Sequence, residues 1–167
     1  MRELREYAKD MSAAELLRQL GPFALVQRPT DARVAQLALK LGAKRTVAVK
    51  RGALVEDDSL LLEFEDLVVA TLPPVSEGAV LTVGRLPDCD LVVDDPSVSK
   101  RHANIHWLAD EQRAAVEDLK SSNGTLLNGD ELHMRMYLKD GDNLTFGDAR
   151  FCFLLTAALH RKLTRPR

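Results

Sequence analysis

Gly84-Arg85, Ser99-Lys100-Arg101-His102 and Ser121-Ser122-Asn123-Gly124-Thr125 bring a guanidinium, an ammonium, hydroxyls, an imidazole and a carboxamide together in sequence. Leu127-Asn128-Gly129 follows directly. Residues 57–160 hold 8 Lys/Arg against 19 Asp/Glu. Three of those few cations, Arg85, Lys100 and Arg101, fall at these motifs. A phosphate carrying about −1.5 to −2 charges would find a local positive site in a negative surround, which deters promiscuous anions. Other chemistries fit less well. Ser99 and His102 could act as nucleophile and base, but neither a nucleophile elbow nor an oxyanion motif accompanies them. His102 and His106 could clasp zinc on a helix. Their segment reads as strand, and no Cys or carboxylate is placed to complete a tetrahedron. The run Gly124-Thr125-Leu126-Leu127-Asn128-Gly129 imitates a phosphate loop, yet Asp130-Glu131 stands where Lys-Ser/Thr is needed. The expectation is a binding site with no catalytic residue, no metal ligand and no cofactor.

The elements that must position these groups are short strands. From Leu60 onward, apolar runs of four to seven residues alternate with turn clusters and no helical period survives. The runs include Leu67–Leu72, Val80–Val83, Leu91–Val93, His102–Leu108, Ala114–Val116, Thr125–Leu127, Leu144–Phe146 and Phe151–Leu155. Strand-sized segments at about 8–12-residue spacing, with turn chemistry between them, indicate a β-sandwich or barrel. Asn128-Gly129 is the strongest hairpin signal, because both central positions of a type I′ turn need positive φ. Cys152 reads as core filling and Trp107 as core or edge packing.

The first 64 residues follow another pattern. Leu4, Tyr7, Ala8, Met11, Ala14, Leu17 and Leu20 form one apolar stripe at helical steps. Ser12-Ala13-Ala14-Glu15 has the residues of a capping box, so the run reads as one helix or as two short ones, and Gly21-Pro22 ends it. Phe23–Val26 reads as a strand, Pro29-Thr30-Asp31 opens a helix that Gly42 stops, and Thr46–Val49 reads as a strand. Thr30 and Thr46 follow basic residues, as sites of basic-directed kinases do. Residues 1–56 carry 11 Lys/Arg against 6 Asp/Glu. The tail Arg161-Lys162-Leu163-Thr164-Arg165-Pro166-Arg167 reads as a frayed basic end.

Bulk properties narrow the class. The 167 residues are 46% hydrophobic and 29% charged, ordinary for a soluble domain with an extension. No apolar run approaches the roughly 18 residues of a membrane span, and the charged amino terminus lacks the core of a secretory signal. Two distant cysteines, Cys89 and Cys152, suit a reducing, cytoplasmic setting. The largest charge block is acidic, which argues against nucleic acid as a partner.

Taken in order, the three motifs resemble the forkhead-associated (FHA) signature: Gly-Arg, then Ser-x-x-His, then Ser-x-Asn-Gly-Thr with a following Asn-Gly. The likeness covers about residues 65–157. It implies a mainly β fold, an eleven-stranded sandwich whose loops at one end hold a phosphothreonine peptide. On that mapping Arg85 gives its planar fork to the phosphate. Ser99 adds a hydroxyl donor, Lys100 a backbone or ammonium contact, and Arg101 stands at the rim. Asn123 binds the peptide main chain and Ser122 donates nearby. Ser122 stands where many family members have Thr, and the hydroxyl is kept. His102, Gly84, Gly124 and Asn128 support the site from within the domain.

The expected organisation is therefore a mixed α/β segment at 1–64, an FHA-like sandwich at 65–157 and a basic tail at 158–167. The resemblance implies a non-catalytic adaptor whose partner is a phosphothreonine-containing protein, a serine/threonine kinase or its substrate. The alternative is a structural assembly module that uses the same sandwich without phosphate. Retention of Arg85, Ser99 and Asn123 together favours the adaptor.

Overall fold

The computed structural model describes residues 12–28, 69–70 and 80–164. The expected helix after Pro29, the strand at Thr46–Val49, and Thr30 and Thr46 themselves lie outside the described residues. Helix α1, Ala13–Leu20, begins at the capping box read from the sequence. The Glu15 N–H donates to Ser12 Oγ at 3.2 Å, and Ser12 N–H donates to Glu15 Oε2 at 2.8 Å. Gly21, at φ 74°, closes it by donating to Leu17 O at 2.9 Å.

Eleven strands follow among the described residues. They are β1 (Phe23–Gln27), β2 (Val69–Ala70), β3 (Val80–Gly84), β4 (Leu91–Val92), β5 (Ala103–Leu108) and β6 (Arg113–Asp118). β7 (Thr125–Leu127), β8 (Asp130–Glu131), β9 (Met136–Leu138), β10 (Asn143–Phe146) and β11 (Ala149–Leu155) complete the set, and helix α2 (Thr156–Thr164) ends it. A six-stranded sheet in the order β2-β1-β11-β10-β7-β8 faces a five-stranded sheet in the order β4-β3-β5-β6-β9. All pairings are antiparallel except β3 with β4.

Alternation fills the space between the sheets. Ala103, Ile105 and Trp107 of β5 point inward and meet Leu81, Val83, Ala114 and Val116 of the neighbouring strands and Phe23, Phe151 and Phe153 of the facing sheet. Phe23 lies 5.9 Å from Trp107 and 5.2 Å from Phe153, centroid to centroid. The expected hairpin is present: Asn128 and Gly129 have φ 54° and 96° and join β7 to β8.

Two boundaries differ from the sequence expectation. Phe23–Gln27, assigned to the extension by a boundary at residue 64, pairs with β11 over its whole length, from Phe23↔Leu155 to Gln27↔Phe151. Its four apolar residues are buried, so it completes the sandwich. The tail is not frayed at its start. Residues 156–164 form α2, which packs on α1, with Ala158 and Leu159 buried and the Thr156 hydroxyl donating to Gly21 O. In sequence that apolar pair is masked by the basic residues that follow it. Strands β8 and β9 were missed because Asp130 and Glu131 are both exposed and β9 buries only Leu138, leaving no alternation to read. No helix among the described residues is long and apolar enough to cross a membrane.

Candidate functional site

Three connections meet at one end of the sandwich. The exit of β3 is laced to the entry of β5: Arg85 N–H donates to Ser99 O (3.0 Å), Leu86 N–H to Lys100 O (3.2 Å) and His102 N–H to Val83 O (2.8 Å). Gly84 makes that approach sterically possible. A Cβ there would lie 2.3 Å from Lys100 O and 2.9 Å from Cys89 Sγ. The segment between β3 and β4 is held by Asp90, whose carboxylate accepts from the Thr82 N–H and hydroxyl, each at 2.7 Å. The Thr82 N–H bond, then the hydroxyl, lower its pKa.

The connection from β6 to β7 folds around Asp118. Its carboxylate accepts from Ser121 Oγ (2.7 Å), Ser121 N–H (3.0 Å) and Thr125 Oγ1 (2.7 Å). Burial raises the pKa of Asp118, but these bonds and the nearby His102 outweigh it and bring the value below the usual carboxylate range. Ser122 N–H then donates to Ser99 Oγ at 2.9 Å, and Asn123 Nδ2 donates to Ser97 O at 2.8 Å. Asn123 thereby ties this loop to the one before β5.

His102 fastens the same two loops from below. It is 0% exposed, and its ring meets Phe146 edge-on. Nδ1 accepts from Ser99 N–H at 3.0 Å, so Nε2, 3.0 Å from Gly124 O, carries the proton and donates. This is the neutral tautomer. Burial lowers its pKa; the Gly124 carbonyl and Asp118 act the other way without cancelling the effect. As pH falls, an unfolded chain takes up a proton near the ordinary histidine value of about 6.5, while the folded chain resists until lower pH. Stability contributed by this ring is therefore full above about 6.5 and lost as pH falls through the folded value. Urea melts are expected to give a lower unfolding free energy at pH 5.5 than at pH 7.5, with the His102 imidazole titrating below 6.5 by NMR. An unshifted His102 titration would contradict the neutral brace.

Arg85, Ser99, Lys100, Arg101, Ser122 and Asn123, the six expected contact residues, line one open cleft of about 390 Å³ together with Pro96, Ser97 and Val98. The sequence reading missed the last three. The signal was the Asp95-Pro96-Ser97 turn, in which Asp95 Oδ1 accepts from Ser97 N–H (2.8 Å) and Ser97 Oγ (2.6 Å). Arg85 Nε donates to Val98 O at 3.3 Å, and Arg101 is paired with Asp88. Asn128 does not brace the cleft. It lies at the far end of β7, where its carboxamide donates to Asp142 and accepts from Asn143 N–H. Among the described residues, no group of three or more His, Cys, Asp or Glu could hold a metal ion.

Comparison with known proteins bears on the same residues. The FHA domain family matches residues 81–147. The transcriptional regulatory protein EmbR of Mycobacterium tuberculosis is 31% identical over 151 residues, which cover 86% of this chain and 36% of that protein. The DNA damage response protein kinase DUN1 of Saccharomyces cerevisiae is 39% identical over 79 residues, 44% of this chain and 15% of DUN1. This chain thus spans about a third of EmbR and a smaller part of DUN1. A solved structure from a study of phosphothreonine-dependent FHA domain interactions aligns with a TM-score of 0.50 at 21% identity, covering 80% of this chain and 96% of that one. That likeness is one of fold.

Proposed function

We propose, from the premise that residues 81–147 of this chain are a forkhead-associated (FHA) domain, that its cleft binds a phosphothreonine segment of a partner protein in serine/threonine kinase signalling. The observation that carries the proposal is the convergence of Arg85, Ser99, Lys100, Ser122 and Asn123 on one cleft. The family is a non-catalytic binding module, and each side chain has a binding task. The Nε–H of Arg85 is held by Val98 O, which orients the guanidinium and leaves its terminal nitrogens for two phosphate oxygens. Ser99 Oγ already accepts from Ser122 N–H. Its own hydrogen has only a 3.5 Å contact with Ser122 Oγ, so it can turn to an anion. Lys100 adds an exposed charge. Asn123 spends one Nδ2–H on Ser97 O and keeps its carbonyl and second N–H for a peptide backbone.

An oriented phosphothreonine peptide library is the test. Binding is expected only to phosphorylated members, with phosphoserine counterparts weaker by about 1–2 kcal/mol, one buried methyl with its packing. Equal binding of phosphorylated and unphosphorylated libraries would overturn the proposal.

A further inference from the structure

We propose that this cleft selects a phosphothreonine flanked by basic residues, because its two edges carry opposite charge. The inference rests on the phosphothreonine reading and adds the chemistry of the partner segment. One edge is cationic: Arg85, Lys100 and Arg101, the last already neutralised by Asp88. Ser97 and Asn123 form the other edge, and two carboxylates stand directly behind it.

The first is Asp148. Gly147, at φ 59°, runs so close to Ser97 that a Cβ on it would lie 2.4 Å from Ser97 O. The Asp148 N–H donates to Ser97 Oγ at 2.8 Å, and the Gly147 N–H to Gly124 O at 3.3 Å. The turn is thus pinned against both loops of that edge, and exposed Asp148 is carried with it. The second is Glu131 of β8, whose Oε1 lies 3.3 Å from the Cβ position of Gly124, next to Asn123. Neither carboxylate has an ion-pair or hydrogen-bond partner among the described residues, although exposed Lys120 lies in the same loop as Ser122.

A peptide whose phosphate sits on Arg85 and whose backbone meets Asn123 must cross this edge as it leaves. An extended chain advances about 3.3 Å per residue, so side chains one to three residues from the phosphothreonine reach Glu131 and Asp148. Lysine or arginine there meets an unpaired anion. Glutamate or aspartate meets repulsion that adds to the work of bringing a phosphate into an acidic surround. The cleft therefore suits a ligand with a dianion at one side and cations at the other.

The test uses the full chain and three phosphothreonine peptides that differ only in their flanks, alanine, lysine or glutamate. At 50 mM salt the lysine peptide is expected to bind about tenfold more tightly than the glutamate peptide, an exposed-charge effect that about 0.5 M salt should largely screen. In the Glu131→Gln/Asp148→Asn double variant the gap should shrink to about threefold or less. Neither carboxylate holds a described residue in place, and thermal melting checks that the variant folds. Equal affinity for lysine and glutamate peptides, or an undiminished gap in the double variant, overturns the inference while leaving phosphothreonine binding intact. If the alanine-flanked phosphopeptide fails to bind, the phosphothreonine reading itself falls, and this inference with it.

Discussion

Arg85→Ala is expected to lower affinity for a phosphothreonine peptide at least about 100-fold while leaving the fold intact. A charge-assisted hydrogen bond contributes roughly 1.5–3 kcal/mol, and a bidentate guanidinium supplies two of them. The side chain is exposed, and among the described residues its hydrogen bond is that of Nε–H to Val98 O at 3.3 Å, so its removal costs the sandwich little. Arg85→Lys should recover only part of the loss, because an ammonium is a point charge without the planar fork. Titration calorimetry with melting curves on each variant separates binding from stability. An Arg85→Ala protein that binds within about threefold of wild type would place the phosphate site elsewhere.

Gly84→Ala should act in the opposite way, through the fold. The added Cβ would meet Lys100 O at 2.3 Å, Cys89 Sγ at 2.9 Å and Arg101 Cα at 3.0 Å, and two of the three are backbone atoms. Lys100 O cannot retreat without loosening its bond from Leu86 N–H. Overpacking of this kind costs about 1–3 kcal/mol and sometimes more, which for a domain of this size lowers Tm by several degrees, on the order of 10 °C at the upper end. Because the displaced segment carries Ser99, Lys100 and Arg101, binding should fall along with stability. A variant that melts within about 2 °C of wild type and binds normally would show that the two loops are not packed as described.

The motifs were the most legible part of the chain because each is anchored by its own local chemistry. Gly84 sits where no Cβ fits, and His102 places both ring nitrogens on backbone groups of the loops that it joins. Asn123 clasps Ser97 across the cleft. Spacing in sequence therefore translated into proximity in space. The hairpin at Asn128 was legible for the same reason, but its place was not. Which end of β7 faces the cleft depends on pairing with β10, and pairing is a long-range property. Pro96, Ser97 and Val98 were hidden because a turn and a cleft wall look alike in sequence. The place of Phe23–Gln27 was hidden too, since an all-apolar run fits a small lobe as well as a sheet until its partner, β11, is known. The α2 helix was not legible because its buried apolar residues, Ala158 and Leu159, are followed at once by basic ones.

The central claim is that phosphate is read at the end of the sandwich where Arg85, Ser99 and Asn123 converge. Backbone amide NMR on the uniformly labelled chain tests it most directly, with one phosphothreonine peptide and its unphosphorylated twin added in parallel. The phosphorylated peptide is expected to shift the amides of Arg85, Ser99, Lys100, Arg101, Ser122 and Asn123 most strongly, and its twin to leave them in place. Equal shifts with both peptides, or shifts centred on the outer face of the five-stranded sheet around His106 and Tyr137, would contradict it.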